Sequence, residues 1–445
     1  MRFPTRDTGF FIVCAVATIA CVPPPALAQT TLAQRVSRAP DGVVRLQFPS
    51  RPGTCGDGRD VIGFRKALFA KSFQSIGNWT SPNCVAGPVR VELSVSNGKV
   101  TREKTYVGAA WPRSTERVTD LGGVSAGEAS LYFFGLVPQL ERAGDKSRLL
   151  LPAVLADAGD VIPQLVTLAR DGAQVQETRR QAIQWIGLLG DAKVIPTLVA
   201  FARSGGAAPT GDDVDEDDEA PGDKGLATAA MAALSTLDDG VGVPALIDLA
   251  RNGTTGVRRS AVFWLGQSGD PRAFAVLHSV IENGRENERV RADAIFSLAH
   301  GDGTQTTEFA YLRNIYPRLA SDKLKDAILQ GMGDERSGGS AWLIERARDG
   351  RESLATRKNA LFWAGQRDLT PTKDLVAFFR SATEPELREH ALFVLSQRQD
   401  DDALNELLRI AREDSDKRMR ARALFWLGQK DDPRVTKLIS DRLSR

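Results

Sequence analysis

At 445 residues the chain is too long for one compact core, which leaves several domains or one elongated repeat array. Its 58 Lys and Arg nearly balance 56 Asp and Glu, and a net charge of +2 excludes a global field toward nucleic acid or an anionic membrane. Any electrostatic recognition must therefore be local.

Residues 1–28 read as a secretory signal peptide. Arg2 and Arg6 open the segment, an apolar run follows from Gly9 to Ala20, and Ala26-Leu27-Ala28 forms a small-x-small cleavage site before Gln29. The apolar run is too short to span a bilayer. The sequence thus predicts an exported protein, periplasmic or secreted. The lipoprotein alternative would acylate Cys21, although Thr18 stands where that signal usually has an aliphatic residue. No later segment carries the roughly 18 uncharged apolar residues of a membrane helix.

Of four cysteines, Cys14 and Cys21 fall in the signal region, so the mature chain keeps Cys55 and Cys84. In an oxidising compartment this pair most simply makes a disulfide, stabilising its module by roughly 3–4 kcal/mol on the chain-entropy model. A metal site would need more ligands than two thiols. The three histidines, His278, His300 and His390, are all distant, so neither metal nor cofactor is expected.

Residues 29–115 have the pattern of a small β-rich module. Val44, Leu46 and Phe48 alternate with Arg45 and Gln47, as in a half-buried strand. Segments 89–95 and 100–107 are joined through Ser96-Asn97-Gly98-Lys99, a hairpin whose Asn-Gly accepts positive φ. Between them, residues 64–69 suggest a short helix, and Cys55-Gly56-Asp57-Gly58-Arg59-Asp60 reads as an ordinary turn rather than a cation loop. Trp79 and Trp111 are the only aromatic hints of a polymer-binding surface.

From 116 to 445 the pattern turns helical. Gly123-Val124-Ser125-Ala126-Gly127 matches the Gly-x-Ser-x-Gly elbow of serine hydrolases, but no alternating β/α pattern surrounds it. Ser125 with Glu128 three residues on reads instead as a capping box opening a helix over 126–140.

Thereafter one segment recurs: Gln181-Ala182-Ile183-Gln184-Trp185-Ile186-Gly187, Ser260-Ala261-Val262-Phe263-Trp264-Leu265-Gly266, Asn359-Ala360-Leu361-Phe362-Trp363-Ala364-Gly365 and Arg422-Ala423-Leu424-Phe425-Trp426-Leu427-Gly428. Adding weaker copies at Ala294, Ala327 and Ala391, the anchoring alanines from Ala261 onward are spaced by 33, 33, 33, 31 and 32 residues. A period that steady means one supersecondary unit stacked many times, about nine of them here. Each unit holds a first helix, a turn such as Gly269-Asp270-Pro271-Arg272, and a second helix such as Val243-Pro244-Ala245-Leu246-Ile247-Asp248-Leu249-Ala250-Arg251.

These motifs resemble short HEAT repeats of the phycobilisome-lyase-like kind, over roughly three quarters of the mature chain. The resemblance implies a mainly α protein, a right-handed α-solenoid of HEAT-like helix pairs following the small N-terminal β-rich, disulfide-bearing module. It further implies that first helices line a convex face and second helices a concave one where partners dock. It is weak for function, since solenoids host unrelated roles.

Recurrent side chains have structural explanations ahead of functional ones. The column Trp185, Trp264, Trp363 and Trp426 is expected in the core. Basic residues opening first helices (Arg179, Arg180, Arg258, Arg259, Arg291, Arg357, Lys358, Arg388, Arg420) are expected to pair with Asp191, Asp270, Asp334 and Asp400 as a ladder between neighbours. A second column, Arg170, Arg203, Arg251, Arg348, Arg380 and Arg412, ends the second helices, where cations suit the helix dipole. If these project along one rim, they form the best binding site for an acidic protein partner.

The insert 205–224 holds eight Asp and Glu without apolar anchors, and reads as a mobile acidic loop with at most weak divalent-cation affinity. The resulting expectation is an exported, non-catalytic scaffold for protein–protein interaction. The rivals are a cell-envelope sensor or polymer-binding module and, behind it, a lyase-like or serine-hydrolase enzyme. Export argues against bilin chemistry, and no convergent acid/base cluster is legible.

Overall fold

The computed structural model describes residues 30–59, 61–64, 67–70, 73–76, 84–108, 110–111, 113–142, 150–204, 224–301, 306–333, 338–366 and 370–443. Residues 1–28, read from sequence as a signal peptide and containing Cys21, lie outside these, as do Trp79, Asp334 and nearly all of the acidic insert. The chain divides into two compact units, Met1–Tyr132 with Leu155–Asp157, and Phe133–Val154 with Ala158–Arg445.

The first unit contains α1 (Leu32–Ser37) and the strands β1 (Gly42–Phe48), β2 (Thr54–Gly56), β3 (Ile62–Phe64), β4 (Ala67–Ala70), β5 (Phe73–Ile76), β6 (Val85–Ala86), β7 (Val89–Ser96), β8 (Lys99–Val107) and β9 (Val118–Gly123). One sheet has the order β8-β7-β1-β9, with β9 parallel to β1 and the rest antiparallel. Val44, Leu46 and Phe48 bury on the same face as Val89, Val91 and Leu93, which is what the alternation in the sequence demands. The β7–β8 turn places Asn97 at φ 50° and Gly98 at φ 69°, a backbone an Asn-Gly pair adopts cheaply.

The other sheet runs β5-β4-β3-β2-β6. Residues 64–69 are not the short helix expected from sequence: Phe64 pairs with Ala67 and Ile62 with Phe69, so β3 and β4 are antiparallel strands. A six-residue helix has too few internal bonds to hold itself, whereas β2 and β3 offer a ready sheet. That sheet is pinned at β2, where Cys55 is bonded to Cys84 with the Cα atoms 5.2 Å apart. Asp57 Oδ1 accepts the amides of Arg59 and Val61, so this stretch is a turn, as read from sequence.

Strand β9 joins the first sheet from beyond residue 115. Val118 pairs with Val43, and the Val124 amide donates to Gln47 O at 2.9 Å. Helix α2 (Ala126–Arg142) opens on Ser125, whose Oγ accepts the Glu128 amide at 3.2 Å. The reciprocal half of the capping box is replaced. Glu128 accepts instead from the Leu32 amide at 2.7 Å and from Arg35 Nη2 at 3.0 Å, tying α1 in place.

In the second unit, α3 (Leu151–Leu155, its last residue in the first unit) and α4 (Ile162–Arg170) form a reduced first repeat. Eight helix pairs follow among the described residues. They are α5 (Gln176–Leu189) with α6 (Ile195–Ser204), α7 (Lys224–Thr236) with α8 (Val243–Asn252), α9 (Thr255–Gln267) with α10 (Pro271–Glu282), and α11 (Glu288–His300) with α12 (Thr306–Ile315). The array continues with α13 (Asp322–Met332) and α14 (Gly339–Arg348), α15 (Leu354–Gln366) and α16 (Thr372–Ser381), α17 (Pro385–Ser396) and α18 (Asp401–Glu413), and α19 (Lys417–Leu427) and α20 (Pro433–Leu443). Odd-numbered helices from α5 are the first helices of the repeats and even-numbered ones the second.

The anchors Ala261, Ala294, Ala360, Ala391 and Ala423 are all buried. In α13 the buried anchor is Ile328, and Ala327 is only half-buried, so the sequence alignment slips there by one residue. The reason lies in the seam between first helices. Five residues past each anchor a small side chain meets the residue three past the next anchor: Gly187 faces Ala233, Gly266 faces Ser297, Ala299 faces Gly331, Gly333 faces Trp363 and Gly365 faces Val394. A Cβ on Gly266 would stand 2.7 Å from Ser297 Cβ, so the Gly of the Trp-Leu-Gly motif permits close stacking.

Candidate functional site

The arginines that open first helices bind backward and forward along the array. Nε of Arg179, Arg291 and Arg357 donates to the carbonyls of Ala169, Ile281 and Ala347 at 2.9–3.0 Å, closing the last turn of the preceding second helix. Forward contacts go from Arg258 to Glu286 at 2.9 Å, Arg357 to Glu384 at 2.7 Å and Arg388 to Asp414 at 2.9 Å. The expected ladder onto Asp191, Asp270 and Asp400 is therefore corrected. Those aspartates accept the amides of Lys193, Arg272 and Ala403 as N-caps of the turns and second helices. A carboxylate just before a helix finds free amides sooner than a distant guanidinium.

The Trp column divides. Trp185 is 5% exposed and belongs to the core, while Trp264, Trp363 and Trp426 are half-buried. These three stand edge-to-face with Phe263, Phe362 and Phe425 at 5.0–5.2 Å. They lie in the first-helix seam, where Trp363 meets Gly333 and Trp426 meets the Phe393 ring of the preceding unit. In the β unit, Trp111 is half-buried beneath Arg45 and Arg90, whose guanidiniums lie 5.0 and 5.9 Å from its ring. It serves as a cover for the sheet.

Second helices carry the rim. Their repeating unit is a buried Leu, three residues, a buried small or apolar residue and then the rim position, as in Leu246, Ala250 and Arg251. All six predicted arginines, Arg170, Arg203, Arg251, Arg348, Arg380 and Arg412, occupy this position and are exposed. The same register in α10 holds Glu282, and just past α12 it holds Pro317, both exposed. A search for recurrent Arg passes over these two, although the Leu-to-rim spacing identifies them.

Second helices touch side by side through these residues. Arg203 pairs with Asp248 at 2.9 Å, Arg348 lies 5.7 Å from the Phe378 ring, and Arg380 reaches Glu406 at 2.6 Å. Burial raises the Glu406 carboxyl, but hydrogen bonds from Arg409 and Arg380 outweigh it and hold its pKa at about 2. Arg170, Arg251 and Arg412 make no ion pair among the described residues, so their charge is available to a partner.

Between α10 and α12 the contacts are polar and aromatic. His278 Nε2 is 2.6 Å from Glu308 Oε2, its ring stacks on Tyr311 at 3.7 Å, and the Tyr311 hydroxyl donates to Glu282 Oε1 at 3.3 Å. Burial and then the Glu282 charge raise the Tyr311 pKa, keeping that hydroxyl a donor. Among the described residues no group of three or more His, Cys, Asp and Glu is placed to hold a metal, and no helix is long and apolar enough to cross a membrane.

A family model described as HEAT repeats matches residues 372–445, and one described as PBS lyase HEAT-like repeat matches residues 257–283. No curated protein matches the chain. Similar solved structures include the complex of CpcE and CpcF of phycocyanin lyase from Nostoc sp. PCC7120, at 16% identity over 55% of this chain and 92% of that one, with a TM-score of 0.27. Human deoxyhypusine hydroxylase in complex with glycerol is 18% identical over 63% of this chain and 88% of that one, with a TM-score of 0.21. A structure of Kap95p with RanGDP is 12% identical over 70% of this chain and 46% of that one, with a TM-score of 0.35. Two HEAT models thus match within an array of stacked helix pairs that share one buried register, which supports a HEAT-repeat protein at the level of the family.

Proposed function

We propose that the repeat array is a non-catalytic scaffold that binds an acidic protein partner at the arginine ends of its second helices, in an exported protein. The observation that carries this reading is the rim itself, six exposed arginines at one register, four of them without an ion pair among the described residues. Exposed charges of one sign in a row raise encounter rates with an oppositely charged surface and select against like-charged ones. Export rests on the basic, apolar and small-x-small order of residues 1–28, and the Cys55–Cys84 bond suits an oxidising compartment.

Reversing Arg348, Arg380 and Arg412 to Glu together should weaken capture of the partner from the cell-envelope fraction and flatten its salt dependence. Unchanged capture at low salt would remove the rim from the reading. Mature protein beginning near Gln29, recovered outside the cytoplasm with no free thiol, is the outcome expected for export. Cytoplasmic protein with reduced Cys55 and Cys84 would contradict it.

One observation favours a catalytic alternative: the stretch matching the PBS lyase HEAT-like repeat contains His278, whose ring nitrogen lies 2.6 Å from the Glu308 carboxylate. Ser125, by contrast, is engaged as a helix cap. Turnover of any substrate that disappears with His278→Gln or Ser125→Ala in a folded protein would overturn the scaffold reading.

A further inference from the structure

We infer that the rim is bipartite and reads an extended acidic polypeptide carrying positive charge at its centre, with Glu282 as the residue that selects it. This rests on the scaffold reading above and specifies its partner. Three arginines precede the break and three follow it, and the break consists of Glu282 and Pro317 at the same register.

Glu282 is exposed and makes no ion pair among the described residues; the Tyr311 hydroxyl, 3.3 Å from its carboxylate and 3.4 Å from the His278 carbonyl, contacts it without neutralising it. Nor is Tyr311 loose, since its ring stacks on His278, which Glu308 holds in turn at 2.6 Å. An anion in the middle of a cationic row repels a uniformly acidic ligand at that point and attracts a cation there.

The spacing sets the ligand's form. Packed helices lie about 8–10 Å apart, and an extended chain advances about 3.3 Å per residue, so every third side chain of an extended polypeptide can meet successive rim positions. From Arg251 on α8 to Arg348 on α14 is three helix steps, which corresponds to about nine extended residues. The partner segment therefore carries acidic residues at third positions in two clusters, with a basic residue at the third position that meets Glu282.

Two synthetic peptides of about 22 residues in a Ser/Gly background test this, one with Glu at every third position and one with Lys replacing the central Glu that meets Glu282. Titrated at low salt against the full mature chain, the Lys-centred peptide should bind about tenfold more tightly, the repulsion removed and the attraction gained at Glu282 each being worth roughly a factor of two to five. Glu282→Arg should invert that preference and Glu282→Gln should abolish it, both in protein whose thermal melt matches the parent. Equal binding of the two peptides, lost on reversing Arg348 and Arg380, would overturn the bipartite inference and leave the rim reading intact. Failure of both peptides to bind would sink the rim reading as well.

Discussion

Along the first helices each unit meets the next through a small residue set against a larger one, such as Gly365 on Val394, and aromatic side chains fill what is left. Along the second helices the neighbours meet through charges and rings, such as Arg380 on Glu406 and Arg348 over Phe378. The first layer leaves almost no freedom, because interiors packed at crystal density register a single added methyl. The second layer accepts Arg, Glu or Pro at its outermost position, where Arg203, Arg348 and Arg380 reach a neighbouring helix and Arg170, Arg251 and Arg412 make no ion pair among the described residues. Shape complementarity thus fixes the spacing of the array, and the other layer can vary its charge to suit a ligand.

The largest effects should follow from breaking the first layer. Trp185→Ala should cost about 3–5 kcal/mol of unfolding free energy, whereas Trp426→Ala, half-exposed, should cost less than half of that. Gly266→Val, forced against the Ser297 backbone, should cost about 1–3 kcal/mol by overpacking. Chemical denaturation of the three variants measures all of this. A Trp426→Ala cost equal to that of Trp185→Ala would place the whole column in the core after all.

The second layer has its own fixed point in Glu406, and pH isolates it. With a native pKa of about 2 against roughly 4.3 in the unfolded chain, this carboxylate adds stability that is complete above about pH 5. Because the native value is the lower one, that stability is lost as pH falls toward 2, by an amount on the order of 3 kcal/mol. Glu406→Gln should lower stability at neutral pH and flatten the acid limb between pH 5 and 2. An acid limb identical to that of the parent protein would mean that Arg380 and Arg409 contribute nothing through it.

These contrasts follow how much each layer left in the sequence. The helix pairs, the Asn97-Gly98 hairpin and the Cys55–Cys84 bond could be read directly, because periodicity, turn chemistry and cysteine count each reflect a local constraint. The rim arginines were legible as a column but Glu282 was not, because recurrence finds what repeats and a selective site is a departure from the repeat. Partner choice for the first-helix arginines was misread for a different reason. Arg258 and Arg388 choose among several nearby carboxylates, and that depends on distances between units that spacing in sequence does not contain. The slip at Ile328 has the same origin, since only its contacts across the seam distinguish it from Ala327.

The smallest effect on stability is also the sharpest test of the comparison. Arg170, Arg251 and Arg412 are exposed and make no ion pair among the described residues, so replacing all three by Ala removes little apart from their interaction with the helix dipole. Each change should stay within about 0.5 kcal/mol, and together they should shift the denaturation midpoint slightly without altering its slope. Binding of an acidic peptide should nonetheless weaken, by roughly two- to fivefold per arginine at low salt, and that difference should shrink as salt rises above the physiological range. A substantial loss of stability would show that the rim braces the helices, and the division between a layer that holds and a layer that reads would fail. Full stability with undiminished peptide binding would keep the division and move the reading surface to another face of the second helices.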